Sequence, residues 1–154
     1  MSSIDRRIRE LGLSLPTPAS PVANYLSAMR TGNLLYISGQ GPIIDGRVIF
    51  KGRIGDELTE QEGYEAARLT AMNLLAVARS DLGSLDRIAK IVKLNGWVRS
   101  APGYDRQPSV INGASDLFVE VFGEKGRHAR TSVSAHELPM GIAVEIEMIA
   151  EIES

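Results

Sequence analysis

Apolar side chains recur at helical spacing in three stretches of the chain. Residues 59–62 have the form of a capping box, and the apolar repeat that follows stops at Gly83, which predicts one long helix. A second helix is predicted from about Pro108 to Phe122, with Gly123 just beyond its end. Residues 4–11 carry apolar side chains on one helical face and predict a short amphipathic helix near the N-terminus.

Shorter runs of β-prone residues lie between these helices. A Thr-Gly-Asn turn at 31–33 predicts a hairpin, and the last quarter of the chain reads as two strands joined by a Pro/Gly turn. The predicted strands cover residues 25–30, 34–39, a weaker 48–50, 88–98, 129–133 and 144–150.

This order of elements predicts an α+β fold, a mixed β-sheet with two helices packed on one face. Trp97 is interpreted as a core residue of the central strand. The second face of such a sheet has no covering layer, and apolar residues on it need a partner surface, which favours oligomerisation.

Composition narrows the possible functions. The chain reads as one domain over residues 1–154, with the N-terminal helix and a proline-rich connector at about 1–22. It has no cysteine, which removes disulfides, thiolate catalysis and cysteine metal ligands. The net charge of −2 argues against a nucleic-acid partner. No apolar run is long enough to span a membrane and the N-terminus lacks a signal-like segment, so we expect a cytoplasmic protein without a membrane partner.

Candidate chemistry lies in the last quarter of the chain. Arg130 stands among small residues on a predicted strand, and a guanidinium is suited to binding a carboxylate or phosphate. Glu145 and Glu147 alternate on the next strand, so their side chains share one side of it. Two alternatives stay open for Arg130: an ion pair with one of these glutamates, or a small anionic ligand.

Other polar and aromatic residues carry weaker signals. His128 shares a strand side with Arg130 and is a possible proton shuttle, but a solvated loop histidine is the preferred interpretation. His136 is assigned no role. Two histidines near an anion-binding arginine also leave a ribonuclease function open, because phosphodiester cleavage needs an acid/base pair. Tyr104 is predicted on a loop, where it could cover a cleft.

Four motifs, taken together, resemble those of the YjgF/RidA family, whose members are also known as endoribonuclease L-PSP. They are Ser38-Gly39-Gln40, the segment 129–133, Leu138-Pro139 and the segment 144–147. The resemblance covers about residues 25–152, and the N-terminal extension and the longer segment 47–58 suggest a longer branch of the family. It implies a chorismate-mutase-like α+β fold, a homotrimer with clefts at subunit interfaces, and no metal or organic cofactor.

The resemblance also implies roles for individual residues. Arg130 matches the arginine that binds the substrate carboxylate, and Glu145 matches the acid that positions or activates water. Position 132 departs from the pattern, because many members have cysteine where this chain has serine. The residues implied to bind substrate are Tyr25, Ser38, Gly39, Asn112 and Ser132.

The implied activity is hydrolytic deamination of reactive 2-enamines and 2-imines, such as 2-aminoacrylate, to 2-keto acids and ammonia. The expected ligand is thus a small 2-imino or 2-keto acid. Two alternatives remain at this point: a non-catalytic protein that binds small carboxylates, and an endoribonuclease acting on single-stranded RNA.

Overall fold

The computed structural model describes residues 1–21 and 23–154, so Val22, at the end of the predicted connector, lies outside the described residues. The described residues form three α-helices where the sequence predicts them, and none of these helices is long and apolar enough to cross a membrane. The helices are α1 (Ser3–Glu10), α2 (Glu60–Leu82) and α3 (Gln107–Phe122).

Both predicted ends of α2 are confirmed. The Thr59 hydroxyl accepts a hydrogen bond from the Glu62 amide at 3.1 Å, and the Glu62 carboxylate accepts one from the Thr59 amide at 3.0 Å. At the other end Gly83 adopts a left-handed conformation, with φ of 81°, and its amide donates to the carbonyl of Arg79. These local signals fix the two ends of α2.

The described strands form a five-stranded mixed sheet and a small two-stranded hairpin, β3–β4, which contains part of the predicted weak strand. The sheet order is β1-β2-β7-β5-β6, and only β5 and β6 run parallel. The strands are β1 (Ala28–Thr31), β2 (Leu34–Gln40), β3 (Ile43–Ile44), β4 (Arg47–Val48), β5 (Ile88–Arg99), β6 (Ala129–Ala135) and β7 (Val144–Ile152).

The two final strands do not pair with each other, because β5 lies between them. The long connection after β6 lets β7 insert in the middle of the sheet, antiparallel to both β2 and β5. The prediction of an α+β fold with a mixed sheet and two helices on one face is confirmed, since α2 and α3 cover one face of this sheet. The short α1 packs beside α3, with Ile8 buried.

The other face of the sheet, called here the open face, carries partly apolar side chains. Met29, Tyr36 and Val133 are 54%, 43% and 44% exposed there. Trp97 also points to this face, next to Val133 in the sheet register, so the interpretation of Trp97 as a core residue is wrong. Side chains alternate along β5, and the buried side belongs to its neighbours Gly96 and Val98.

Candidate active site

Glu145 lies on the open face of β7, beside the end of β2. A Cβ atom at Gly39 would stand only 3.0 Å from the carboxyl carbon of Glu145, so the glycine makes room for the carboxylate against the backbone. Burial raises the pKa of Glu145, and the neighbouring carboxylate of Glu147 raises it further. A carboxylate with a raised pKa is a stronger base, which suits it to accept a proton from water.

A cleft of about 290 Å³ opens in front of this carboxylate. Its wall combines the predicted site residues Tyr25, Gly39 and Glu145 with apolar side chains from the loop before β7, among them Met140. Tyr25 is 48% exposed and lies just before β1 rather than within a strand, so the predicted strand 25–30 begins three residues too early. This Glu145 cleft therefore brings together three of the seven predicted site residues.

Ser38 supports the cleft from behind. Its hydroxyl donates to the carbonyl of Leu26 at 2.7 Å, and its amide donates to the carbonyl of Ser27 at 2.9 Å. These two bonds fasten the segment that carries Tyr25 onto β2. A direct contact between Ser38 and substrate stays a prediction.

Arg130 and Asn112 lie together elsewhere, at the outer edge of the sheet. One guanidinium nitrogen of Arg130, Nη1, donates to Asn112 Oδ1 at 2.8 Å and to Ser115 Oγ at 3.1 Å. Asn112 and Ser115 are three residues apart on α3, so both face β6. Within residues 1–21 and 23–154, Arg130 makes no ion pair with a glutamate, which removes an ion pair inside one chain as the explanation of its role.

The two halves of the predicted site lie on opposite faces of the sheet. Arg130 is beside Leu94, which is fully buried under the helices, whereas Glu145 stands between the buried Val144 and Ile146 and points the other way. Strand β5 separates them by about 10 Å across the sheet. One ligand of a few atoms does not reach both side chains of one chain.

His128 lies in the Arg130 half of the site. The ring is partly buried edge-on against Phe118, and both ring nitrogens have partners: Gly126 O lies 2.6 Å from Nδ1, and Ser115 Oγ lies 2.8 Å from Nε2. The interpretation of a solvated loop histidine is therefore wrong, because the turn before β6 carries the ring under α3. The alternation that puts His128 and Arg130 on one strand side was the usable signal.

Ser132 follows Arg130 on the same side of β6, and its hydroxyl is buried without a hydrogen-bond partner among the described residues. We expect Ser132→Ala to retain most of any catalytic activity, because no described partner loses a hydrogen bond. Ser132→Pro deletes a strand amide and should abolish that activity. Initial rates and melting curves of the two variants check this. Lost activity in a stably folded alanine variant would mean that the hydroxyl takes part.

The loop tyrosine and the second histidine lie away from both halves. Tyr104 donates its hydroxyl to Glu60 at 2.8 Å and lines a separate cavity with Arg53 and Ser134, so it does not cover the Glu145 cleft. His136 is 92% exposed. In the part of the chain that the structure describes, no cluster of three acidic, histidine or cysteine side chains could hold a metal ion.

Known proteins share this arrangement of elements. The family model of the YjgF/chorismate mutase-like endoribonucleases matches residues 5–152, nearly the whole chain. The chain belongs to this family. The resemblance to YjgF/RidA proteins and the prediction of a chorismate-mutase-like fold are thereby confirmed.

Individual known proteins match this chain over most of their length. Protein TCP17 of Trypanosoma cruzi is 43% identical over 148 residues, which are 96% of this chain and 92% of TCP17. A 2-iminobutanoate/2-iminopropanoate deaminase of Dermatophagoides farinae is 29% identical over 142 residues, 92% of this chain and 95% of that enzyme. The crystal structure of Atu1372 from Agrobacterium tumefaciens superposes with a TM-score of 0.91 at 43% identity and covers 97% of this chain and 92% of Atu1372.

Proposed function

We propose that this protein hydrolyses 2-imino acids, and the enamines in equilibrium with them, to 2-keto acids and ammonia. Arg130 binds the substrate carboxylate, and Glu145 takes a proton from a water that attacks the imine carbon. The resulting carbinolamine expels ammonia, with the proton returned to nitrogen, and leaves the 2-keto acid. The deaminase of Dermatophagoides farinae, whose name specifies 2-imino acids with three and four carbons, supports this substrate class.

The observation that carries the proposal is the way Arg130 is held. Both of its described partners, Asn112 and Ser115, are neutral acceptors, so the positive charge is not cancelled by a bonded carboxylate. The two hydrogens of Nη1 are used in these bonds, which leaves the edge formed by Nε and Nη2 for a ligand. That edge is a two-pronged donor matched to a carboxylate.

The proposed site needs two copies of the chain. Arg130 and Glu145 face away from each other in one protomer, so the Arg130 of one copy has to meet the Glu145 cleft of another. The exposed apolar side chains of the open face, including Tyr36 and Val133, are a surface that a second copy would cover. We propose the homotrimer implied by the family resemblance, with one site at each of its interfaces.

Light scattering tests this assembly. We expect a mass of three times the 16.7 kDa chain at micromolar concentration. Val133→Asp, on the open face, should lower that mass because it buries an unpaired carboxylate, whereas Val119→Asp on α3 should not, although the two valines are 44% and 42% exposed. A stable wild-type monomer would contradict the trimer and the shared site.

The activity itself is tested by generating the imine in place. Serine dehydratase produces 2-aminoacrylate from serine and threonine dehydratase produces the four-carbon analogue, and semicarbazide traps whichever imine remains. We expect this protein to accelerate release of the 2-keto acid and to reduce the amount of imine trapped by semicarbazide. The Arg130→Ala variant should give the same rate as the reaction without this protein. No acceleration with either substrate would reject the deaminase.

A binding protein without turnover is the second candidate, motivated by the serine at position 132, where many family members have cysteine, and by the N-terminal extension. Calorimetry with 2-oxobutanoate separates the two: binding without acceleration supports a carboxylate-binding protein. The endoribonuclease has weaker support, because both ring nitrogens of His128 already have hydrogen-bond partners. We therefore expect a labelled single-stranded RNA to stay intact when it is incubated with this protein.

A further inference from the structure

Behind Arg130 runs a chain of hydrogen bonds that the proposed chemistry does not use. It passes from Arg130 Nη1 to Ser115 Oγ at 3.1 Å, from Ser115 to His128 Nε2 at 2.8 Å, and from His128 Nδ1 to the carbonyl of Gly126 at 2.6 Å. The imidazole lies edge-on against Phe118, with ring centroids 6.1 Å apart. Packing and two hydrogen bonds thus hold the histidine ring in one orientation.

The last bond decides the direction of all the others. A carbonyl oxygen accepts only, so Nδ1 of His128 carries a hydrogen, and Nε2 of the neutral ring is an acceptor. The Ser115 hydroxyl then donates its single hydrogen to Nε2, and its oxygen accepts from Arg130. Bonds arranged head to tail in this way polarise and strengthen one another.

We infer that Ser115 and His128 are positioning residues for Arg130: the neutral imidazole fixes the Ser115 hydroxyl, which holds the guanidinium against α3 with its free edge toward the ligand. This inference rests on the proposed role of Arg130 as the carboxylate-binding residue. Neither Ser115 nor His128 has to touch the substrate. Their contribution is to reduce the freedom that a long arginine side chain loses on binding.

The surroundings favour the neutral form of the ring. Burial lowers the pKa of His128 below its ordinary value of 6.5; the hydrogen bond with the Gly126 carbonyl opposes this in part, and the positive charge of Arg130 adds to the lowering. On the facing helix, the charge of Asp116 acts on Arg130, and its carboxylate accepts a hydrogen bond from the Tyr64 hydroxyl at 2.6 Å. In the preceding turn, Arg127 and Glu124 pair with each other at 3.6 Å.

Protonation of His128 should therefore loosen Arg130. An imidazolium donates from Nε2, so the Ser115 oxygen must accept from two cations at once, and these repel each other. We expect the affinity for a carboxylate to fall as the pH drops below 6.5 through the His128 pKa. An affinity that rises on acidification would overturn the inference, because the imidazolium would then attract the ligand directly.

Four variants test the chain of bonds. His128→Phe keeps the ring shape without an acceptor, His128→Gln keeps an acceptor without titrating, and Ser115→Ala removes the link. The exposed His136→Gln is the matched control. Calorimetry with 2-oxobutanoate should show affinity lowered about 3- to 10-fold in His128→Phe and Ser115→Ala, the equivalent of one net hydrogen bond. His128→Gln should retain affinity and lose the pH step.

The double variant Ser115→Ala/His128→Phe separates a shared route from two unrelated defects. Its loss should be no larger than that of Ser115→Ala alone, because both changes break one chain. Additive losses, or unchanged affinity in His128→Phe, would overturn the inference.

NMR of the Arg130 guanidinium in the ligand-free protein keeps this test independent of the proposed function. We expect restricted Nη1 resonances that respond to the titration of His128, and that become mobile in Ser115→Ala and His128→Phe but not in His136→Gln. If wild-type protein bound no 2-oxobutanoate, the proposed function would fail, and this signal alone would decide the role of Ser115 and His128. Identical Arg130 resonances in all variants would reject that role.

Discussion

Replacing Arg130 with lysine is expected to weaken the binding of 2-oxobutanoate by about 10-fold or more, because the ammonium cannot offer two parallel donors to one carboxylate. Arg130→Ala should remove binding to the limit of calorimetry. The melting temperature should stay close to that of wild type in both variants. In the described structure Arg130 is partly exposed and bonded to neutral partners, so its removal leaves no buried carboxylate unpaired.

The matched control for this prediction is Arg127→Ala. Arg127 precedes the same strand and its side chain is 70% exposed in an ion pair with Glu124, a kind of pair that contributes little to stability. Affinity should therefore be unchanged in Arg127→Ala. A large drop in melting temperature for Arg130→Ala with normal affinity for 2-oxobutanoate would contradict the ligand role, and Arg130 would then be a structural residue.

Glu145→Gln is expected to lower kcat/KM for the in situ imine by at least about 100-fold, the usual contribution of a general base. Glutamine has nearly the same shape and keeps the contact with Gly39, but it cannot take a proton from water. Glu147→Gln is the control, since Glu147 shares the open face and accepts a hydrogen bond from Asn95 at 2.9 Å instead of lining the cleft. An active Glu145→Gln variant would contradict the assignment.

The pH dependence of the two variants follows from the raised pKa of Glu145. The acid limb of the wild-type activity should lie above pH 4.5, the ordinary value, and move down in Glu147→Gln, which removes the repelling carboxylate. A carboxyl with a raised folded pKa favours folding below pH 4.5, and this contribution is lost as the pH rises through the folded pKa. Glu145→Gln should thus melt no lower than wild type at neutral pH.

Local signals in the sequence predicted the helices well. The capping box at Thr59 and the glycine at position 83 involve neighbours only a few residues apart, so their effect does not depend on the rest of the fold. The same holds for α3, whose predicted start and structural start differ by one residue.

The sheet order could not be predicted in the same way. Nothing within the segment 144–152 reveals that it inserts between β2 and β5, since this depends on packing between distant parts of the chain. Trp97 shows a different failure. Gly96 faces the core, where a Cβ atom would stand only 2.7 Å from the side chain of Ile111. Because this core position is a glycine, it interrupts the apolar alternation that would have assigned Trp97 to the open face.

The sequence also named Arg130 and Glu145 without revealing their separation. Alternation places Glu145 and Glu147 on one side of β7, and His128 with Arg130 on one side of β6, but it does not say which side of each strand meets the helices. That assignment needs the parallel register of β5 and β6, which aligns Arg130 with the buried Leu94. The requirement for a second copy follows only from this register.

We propose that each site combines Arg130 of one protomer with Glu145 of another, and mixing two inactive variants distinguishes this shared site from a site within one chain. Arg130→Ala and Glu145→Gln are unfolded together and refolded in equal amounts, so that they assemble at random. If each site of a cyclic trimer is shared between two chains, about a quarter of the sites regain both side chains. We expect about a quarter of wild-type deaminase activity in the mixture and none in either variant refolded alone. A mixture as inactive as its components, with wild-type mass and melting temperature, would contradict the shared site.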